Sequence, residues 1–96
     1  MLLQGKTAVI SGAASKRGIG RATAELFAQH GARVAILDID GNAASEAAAS
    51  LPAVGSGAHI GFRCDVADRA SCQAAADATA GAFGAINILI NNAGIT

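Results

Sequence analysis

Short apolar blocks alternate along the chain with longer stretches of helical periodicity. Lys6–Ile10 is the first block, with apolar or small residues on both sides of Val9 and Ile10. Such a run predicts a strand buried on both faces. Small residues dominate from Ser11 to Gly20. Arg21 to His30 then predicts a helix, with Ile19, Ala22, Leu26, Phe27 and His30 as its apolar stripe and Gly31 as its left-handed stop. Arg33–Leu37 is a second strand run, closed by Asp38. Asp40-Gly41-Asn42 supplies turn chemistry and a helix start. The alanine-rich stretch Ala43–Ser50 follows, with Ala44, Ala47 and Leu51 on one face, and Pro52 closes it. From Ala58 the pattern alternates: Ile60, Phe62 and Cys64 point one way, His59, Gly61 and Arg63 the other. That suits a half-exposed edge strand, with His59 on its solvated side. A third helix opens at Ala67 or Asp68, carries Cys72, Ala76, Thr79 and Phe83 along one side, and ends at Gly84. Ile86–Ile90 is the last strand block.

The order βαβαβαβ predicts an α/β fold with a parallel sheet, right-handed crossovers and helices on its faces. Nothing between residues 1 and 96 reads as a linker or a short repeat, so the segment has no internal domain boundary. Apolar residues make up 52% of the 96 positions, yet many are alanine, and Trp and Tyr are absent. Alanine buries little area, so the expected core is thin. Seven basic and seven acidic residues cancel, which gives no reason to expect nucleic acid or an anionic membrane as a partner. No apolar run reaches the roughly 18 residues of a membrane-spanning helix. The start of the chain lacks the pattern of a signal peptide. Cys64 and Cys72 have neither metal-ligand nor redox-motif spacing, so two thiols in a cytoplasmic protein are expected. No metal site is predicted.

Ser11-Gly12-Ala13-Ala14-Ser15-Lys16-Arg17-Gly18-Ile19-Gly20 carries the candidate chemistry. A buried strand, a small-residue loop and an amphipathic helix, in that order, describe a turn that binds phosphate. A pyrophosphate must reach main-chain amides at a helix N-terminus, where the macrodipole is positive. Side chains at Gly12, Gly18 or Gly20 would obstruct the turn, the ligand or the packing of helix on strand. The competing reading is a strand–helix turn with no ligand. Asp38, 18 residues beyond Gly20 at the end of the next strand, favours the dinucleotide. Its carboxylate can accept from adenosine ribose hydroxyls, each bond being worth roughly 1.5–3 kcal/mol. The same charge repels a 2′-phosphate by about 4 kcal/mol at ~4 Å and an effective dielectric near 20, less where water screens it. Asp38 therefore favours NAD over NADP, whereas Lys16 and Arg17 pull the other way. Without a ligand, Asp38 is a turn or helix cap.

Read together, these residues resemble the short-chain dehydrogenase/reductase family along the whole chain. Ser11-Gly12 with Gly18-Ile19-Gly20 is similar to the family's cofactor loop. Asp38, followed by Ile39, falls where NAD-preferring members carry an acid. Asp65-Val66 resembles the pair that contacts adenine, and Asn91-Asn92-Ala93-Gly94 the motif after the fourth strand that lines the adenosine ribose. The resemblance implies a Rossmann-type doubly wound sheet with strand order 3-2-1-4. Its implied cofactor site is Ser11, Gly12, Ser15, Arg17, Gly18, Ile19, Gly20, Asp38, Ile39, Asp65, Val66, Asn92, Ala93 and Gly94. The implied activity is hydride transfer between a nicotinamide and an alcohol or carbonyl. The implied assembly is a homo-oligomer, dimer or tetramer, in the cytoplasm.

Two departures stand out. Five residues separate Gly12 from Gly18, where the family has three; this spacing resembles the enoyl-reductase branch. The ending Asn-Asn-Ala-Gly-Ile-Thr is instead similar to 3-oxoacyl-carrier-protein reductases. The family's catalytic Ser, Tyr, Lys and Asn follow the region matched by Thr96, so no catalytic residue is assigned here. The chain reads as the N-terminal, dinucleotide-binding part of one Rossmann domain. Alone, it would leave the last strand's edge unpaired beside Ile86, Ile88 and Ile90 and be marginally stable. A module that binds nucleotide without catalysis is the alternative, and a protein that uses the open sheet edge for partners is a third.

Overall fold

The structure, a computed structural model, describes residues 2–12, 18–52, 58–65 and 67–91, with the Asn91 side chain left aside. Its elements are β1 (Thr7–Ser11), α1 (Ile19–Gln29), β2 (Arg33–Asp38), α2 (Gly41–Ser50), β3 (Ile60–Arg63), α3 (Arg69–Phe83) and β4 (Ile88–Asn91). The four strands form one sheet in the order β3-β2-β1-β4, as expected. All pairings are parallel: Ala8 lies opposite Val34 and Ile88, and Ala35 opposite Ile60. Every residue of β1 is buried, which accounts for its unbroken run of apolar and small side chains.

Strand alternation divides the core into two layers. Ile10, Val34 and Ile36 face α1 and α2, joined by Leu3, Phe27 and Ile90. Val9, Ala35, Leu37, Ile60, Phe62 and Cys64 face α3 through Cys72, Ala75 and Phe83. Arg33 at the amino end of β2 stacks its guanidinium 4.4 Å from the Phe83 ring centroid, tying the end of α3 to the sheet.

The face of α1 differs from the expected stripe. Gly20, Ala24 and Ala28, spaced by four, lie buried with Arg21, whereas Ile19 and Leu26 are 79% and 51% exposed. The small residues let the helix backbone settle close to the sheet; Phe27 of the expected stripe packs against the core, and Ile19 and Leu26 are left outside. Arg21 links the two helices of this layer: its guanidinium donates to Ser50 Oγ at the end of α2 and lies 3.5 Å from Glu25. The helix ends as expected. The chain turns left-handed at Gly31 (φ +97°), and the Ala32 amide reaches back to the Phe27 carbonyl at 3.0 Å.

The alanines of α2 serve the same close approach. Ala44, Ala47 and Ala48 are buried, and a Cβ built on Gly61 of β3 would lie 2.3 Å from the Ala44 carbonyl carbon. Only glycine fits there, a role the alternation pattern did not disclose. On α3 the buried positions are Ala75 and Thr79; Ala76, expected inward, is exposed.

His59 is not the solvated side chain expected. Its Nδ1 accepts from the Val34 amide at 3.0 Å and its Nε2 sits 2.6 Å from the Pro52 carbonyl. This fixes the neutral tautomer with the proton on Nε2. The ring supplies β2 with the acceptor that β3, which begins one residue later, does not provide. At the other edge, Asn87 binds Thr7 in both directions, at 3.0 Å each. Leu89, rather than Ile90, carries the outward apolar surface of β4, at 72% exposure.

Two substitutions test this packing. Gly61→Ala should lower stability by about 3 kcal/mol or more, because backbone has to move, as read from the urea midpoint; an unchanged midpoint would contradict the close approach. His59→Ala should cost about 1–3 kcal/mol by leaving the Val34 amide without its acceptor, with hydrogen exchange at Val34 rising in step.

Candidate cofactor site

A parallel sheet brings the carboxyl ends of all its strands to one edge. Here that edge collects Ser11 and Gly12 from β1, Asp38 and Ile39 from β2, and Asp65 from just beyond β3. The Gly12 amide donates to the Leu37 carbonyl at 2.7 Å, and the Cys64 amide to the Asp38 carbonyl at 2.8 Å. The three chain exits are thereby tied side by side. Gly12 takes φ +70°, so the chain leaves β1 through a left-handed residue that a side chain would strain.

The start of α1 stands opposite this edge. Its N-cap is Gly18, which has no side chain to accept from the first turn. The other two helices are capped: Asp40 Oδ1 accepts from Ala43 at 3.1 Å, and Asp68 Oδ1 from Ala70 at 3.0 Å. Both caps match the sequence expectation. The first-turn amides at Ile19 and Gly20 therefore receive no side-chain cap from Gly18. An anion placed there would find both hydrogen-bond donors and the favourable end of the macrodipole. The residues present thus fit a diphosphate group.

Asp38 is half-buried at the mouth of the sheet. One carboxylate oxygen accepts from the Asp40 amide at 3.1 Å, so the turn-capping role is present in the structure. That bond also orients the carboxylate beside the exit of β1. Ile39 next to it is 61% exposed, an apolar surface at the same mouth. Asp65 has the same local habit: Oδ1 accepts from Ala67 at 3.0 Å, and its amide donates to Ser71 Oγ at 2.9 Å. Ser15, Arg17, Val66, Asn92, Ala93 and Gly94 lie outside the described residues.

Beside the edge, on the α3 face, a groove of about 430 Å³ is lined by Val9, Ser11, Leu37, Cys64, Cys72 and Leu89 among others. The two cysteines, which their sequence spacing had left unconnected, meet there with Sγ atoms 3.9 Å apart. Burial pushes the Cys64 thiol above its usual range, and its hydrogen bond with Cys72 adds to the rise. Among the described residues no helix is long and apolar enough to cross a membrane.

The comparisons with known proteins agree with this fold. Residues 12–96 match the family model described as enoyl-(acyl carrier protein) reductase. The chain is 76% identical over its full length to an uncharacterized short-chain type dehydrogenase/reductase, y4mP, of Sinorhizobium fredii, of which it covers 38%. The chain belongs to the short-chain dehydrogenase/reductase family. It is also 54% identical over 93 residues to D-threitol dehydrogenase of Mycolicibacterium smegmatis, with 97% of this chain and 35% of that protein covered. Among solved structures it superimposes with TM-score 0.80 and 36% identity on 3-ketoacyl-(acyl-carrier-protein) reductase from Brucella melitensis complexed with NADH, covering 91% of this chain and 33% of that one. The chain thus spans little more than a third of the length of the relatives it matches.

The two thiols should differ in reactivity. Iodoacetamide at mildly alkaline pH is expected to modify Cys72 about tenfold faster than Cys64, whose thiol is buried and held protonated. Peptide mass spectrometry over time would show it, and equal rates would contradict the burial.

Proposed function

We propose that this segment is the dinucleotide-binding part of an NAD-dependent oxidoreductase that transfers hydride between a nicotinamide and an alcohol or carbonyl substrate. One observation carries the reading: α1 opens on Gly18, which has no side chain to cap it, at the carboxyl edge of the sheet that also carries Asp38. The first-turn amides bind the diphosphate, and Gly12 and Gly18 keep side chains away from it. The Asp38 carboxylate, held by the Asp40 amide, accepts from the adenosine ribose and repels a 2′-phosphate. Asp65 meets the adenine amine, with Ile39 and Val66 beside it. Ser11, Ile19 and Gly20 belong to the same cofactor loop as Ser15 and Arg17, and Asn92, Ala93 and Gly94 contribute to the ribose site. The nicotinamide, when bound, supplies or accepts the hydride. Groups that handle the substrate's proton belong to the remainder of the protein, and residues 1–96 form the first part of its single Rossmann domain.

The substrate proposal stays with alcohols and carbonyls. A 3-oxoacyl thioester on a carrier protein follows from the likeness of the chain's last six residues and from the Brucella neighbour. A small polyol has its own support in the 54% identity to a D-threitol dehydrogenase. The complete protein is further proposed to be a cytoplasmic dimer or tetramer.

Calorimetric titration of the complete protein with NADH and NADPH tests the cofactor reading. NADH should bind more tightly. Asp38→Ala should weaken NADH by about 10- to 100-fold, the equivalent of one or two charged hydrogen bonds, while narrowing the gap to NADPH. Tighter binding of NADPH by the unaltered protein would overturn the assignment to NAD. Absence of binding by either nucleotide would remove the enzyme reading altogether.

A further inference from the structure

We propose that Cys64 and Cys72 form a redox-sensitive dithiol site, which hydroperoxides oxidise to an intramolecular disulfide that staples the exit of β3 to the first turn of α3. The proposal does not depend on the dinucleotide reading. Three observations support it. The Sγ atoms lie 3.9 Å apart across two elements, already on facing surfaces. A disulfide needs about 2.05 Å, so the sulfurs must close by roughly 2 Å, a distance that side-chain rotation can supply. Both residues line the groove on the α3 face, which gives a small oxidant its route. Their environments also differ in the way a two-step oxidation requires. Cys64 is 3% exposed and its thiol is kept protonated, whereas Cys72 is half-buried, with its sulfur 3.7 Å from the Asp65 carbonyl.

The order of events follows from that difference. The Cys72 thiolate attacks one oxygen of the hydroperoxide. An S–O bond forms as the O–O bond breaks, and an alcohol (water, from hydrogen peroxide) departs with the thiol proton. Cys72 is now a sulfenic acid. Cys64 then attacks the Cys72 sulfur; the S–S bond forms, the S–O bond breaks, and water leaves with the Cys64 proton. Two thiols have lost two electrons and two protons, and the peroxide bond has been reduced. A thiol reductant reverses the change by exchange at either sulfur. The product closes a ring around the turn that carries Asp65, so the oxidised form holds this corner more rigidly.

The test uses the complete protein, reduced, desalted and treated with hydrogen peroxide. Trypsin cleaves after Arg63 and Arg69 and places the two cysteines on separate peptides. The expected product, without reduction, is a Cys64–Cys72 linked pair about 2 Da lighter than the two reduced peptides together, restored by dithiothreitol. Dimedone, which traps sulfenic acid, should label the unaltered protein weakly and Cys72 of the Cys64→Ser variant strongly. If that variant fails to fold, peptide mapping of the unaltered protein decides alone. Persistent sulfenic or sulfinic acid at Cys72 without the link would overturn the proposal. So would linkage between separate molecules, or two thiols that stay reduced under peroxide that oxidises free cysteine in the same solution.

Discussion

The account turns on a helix whose N-cap residue is a glycine. α2 and α3 both open on an aspartate whose side chain takes a first-turn amide. α1 opens on Gly18, which has no side chain to offer. Orphan amides at a helix start need an acceptor from water, side chain or ligand. α1 also starts at the sheet edge where parallel strands deliver their carboxyl ends, beside the Gly12 turn and Asp38. Main-chain donors and a carboxylate therefore lie at the same edge, the arrangement on which the proposed dinucleotide site rests.

What holds that mouth in place is a core of small residues brought close together. Gly20, Ala24 and Ala28 seat α1 on the sheet, and Ala44 of α2 sits where Gly61 leaves room. Each contact buries little area, so the layer depends on closeness more than on bulk, and any added methyl acts on backbone. Polar ties supplement it: Arg21 joins the two helices, and His59 and Asn87 finish the strands that β3 and β4 leave short. The opposite layer is assembled from larger side chains, with Phe62 and Phe83 packed around Val9 and Leu37.

Much of this was legible in the residues. The strand blocks, the helix starts at Asp40 and Asp68 and the stop at Gly31 follow from local chemistry, and the strand order from the family resemblance. On α1, hydrophobicity is a poor guide to which side is buried. Where a helix must come close, glycine and alanine win the inner side and Ile19 and Leu26 turn outward. His59 and Gly61 were equally hidden: their roles depend on Val34, Pro52 and Ala44, which only folding brings near. The Cys64–Cys72 contact likewise belongs to no spacing rule, since it joins the end of a strand to the first turn of a helix. Asp38 has two readings in the sequence, as ribose acceptor and as turn cap, and the structure shows the second.

The most direct test follows the main-chain amides themselves. In a nitrogen–proton correlation spectrum of the complete protein, titration with NADH should move the amide signals of Gly18, Ile19 and Gly20 most, with Gly12 and the Asp38–Asp40 turn close behind. It should also slow hydrogen exchange at the first turn of α1. Signals that stay fixed at the start of α1 while others shift would place the nucleotide elsewhere and contradict the account.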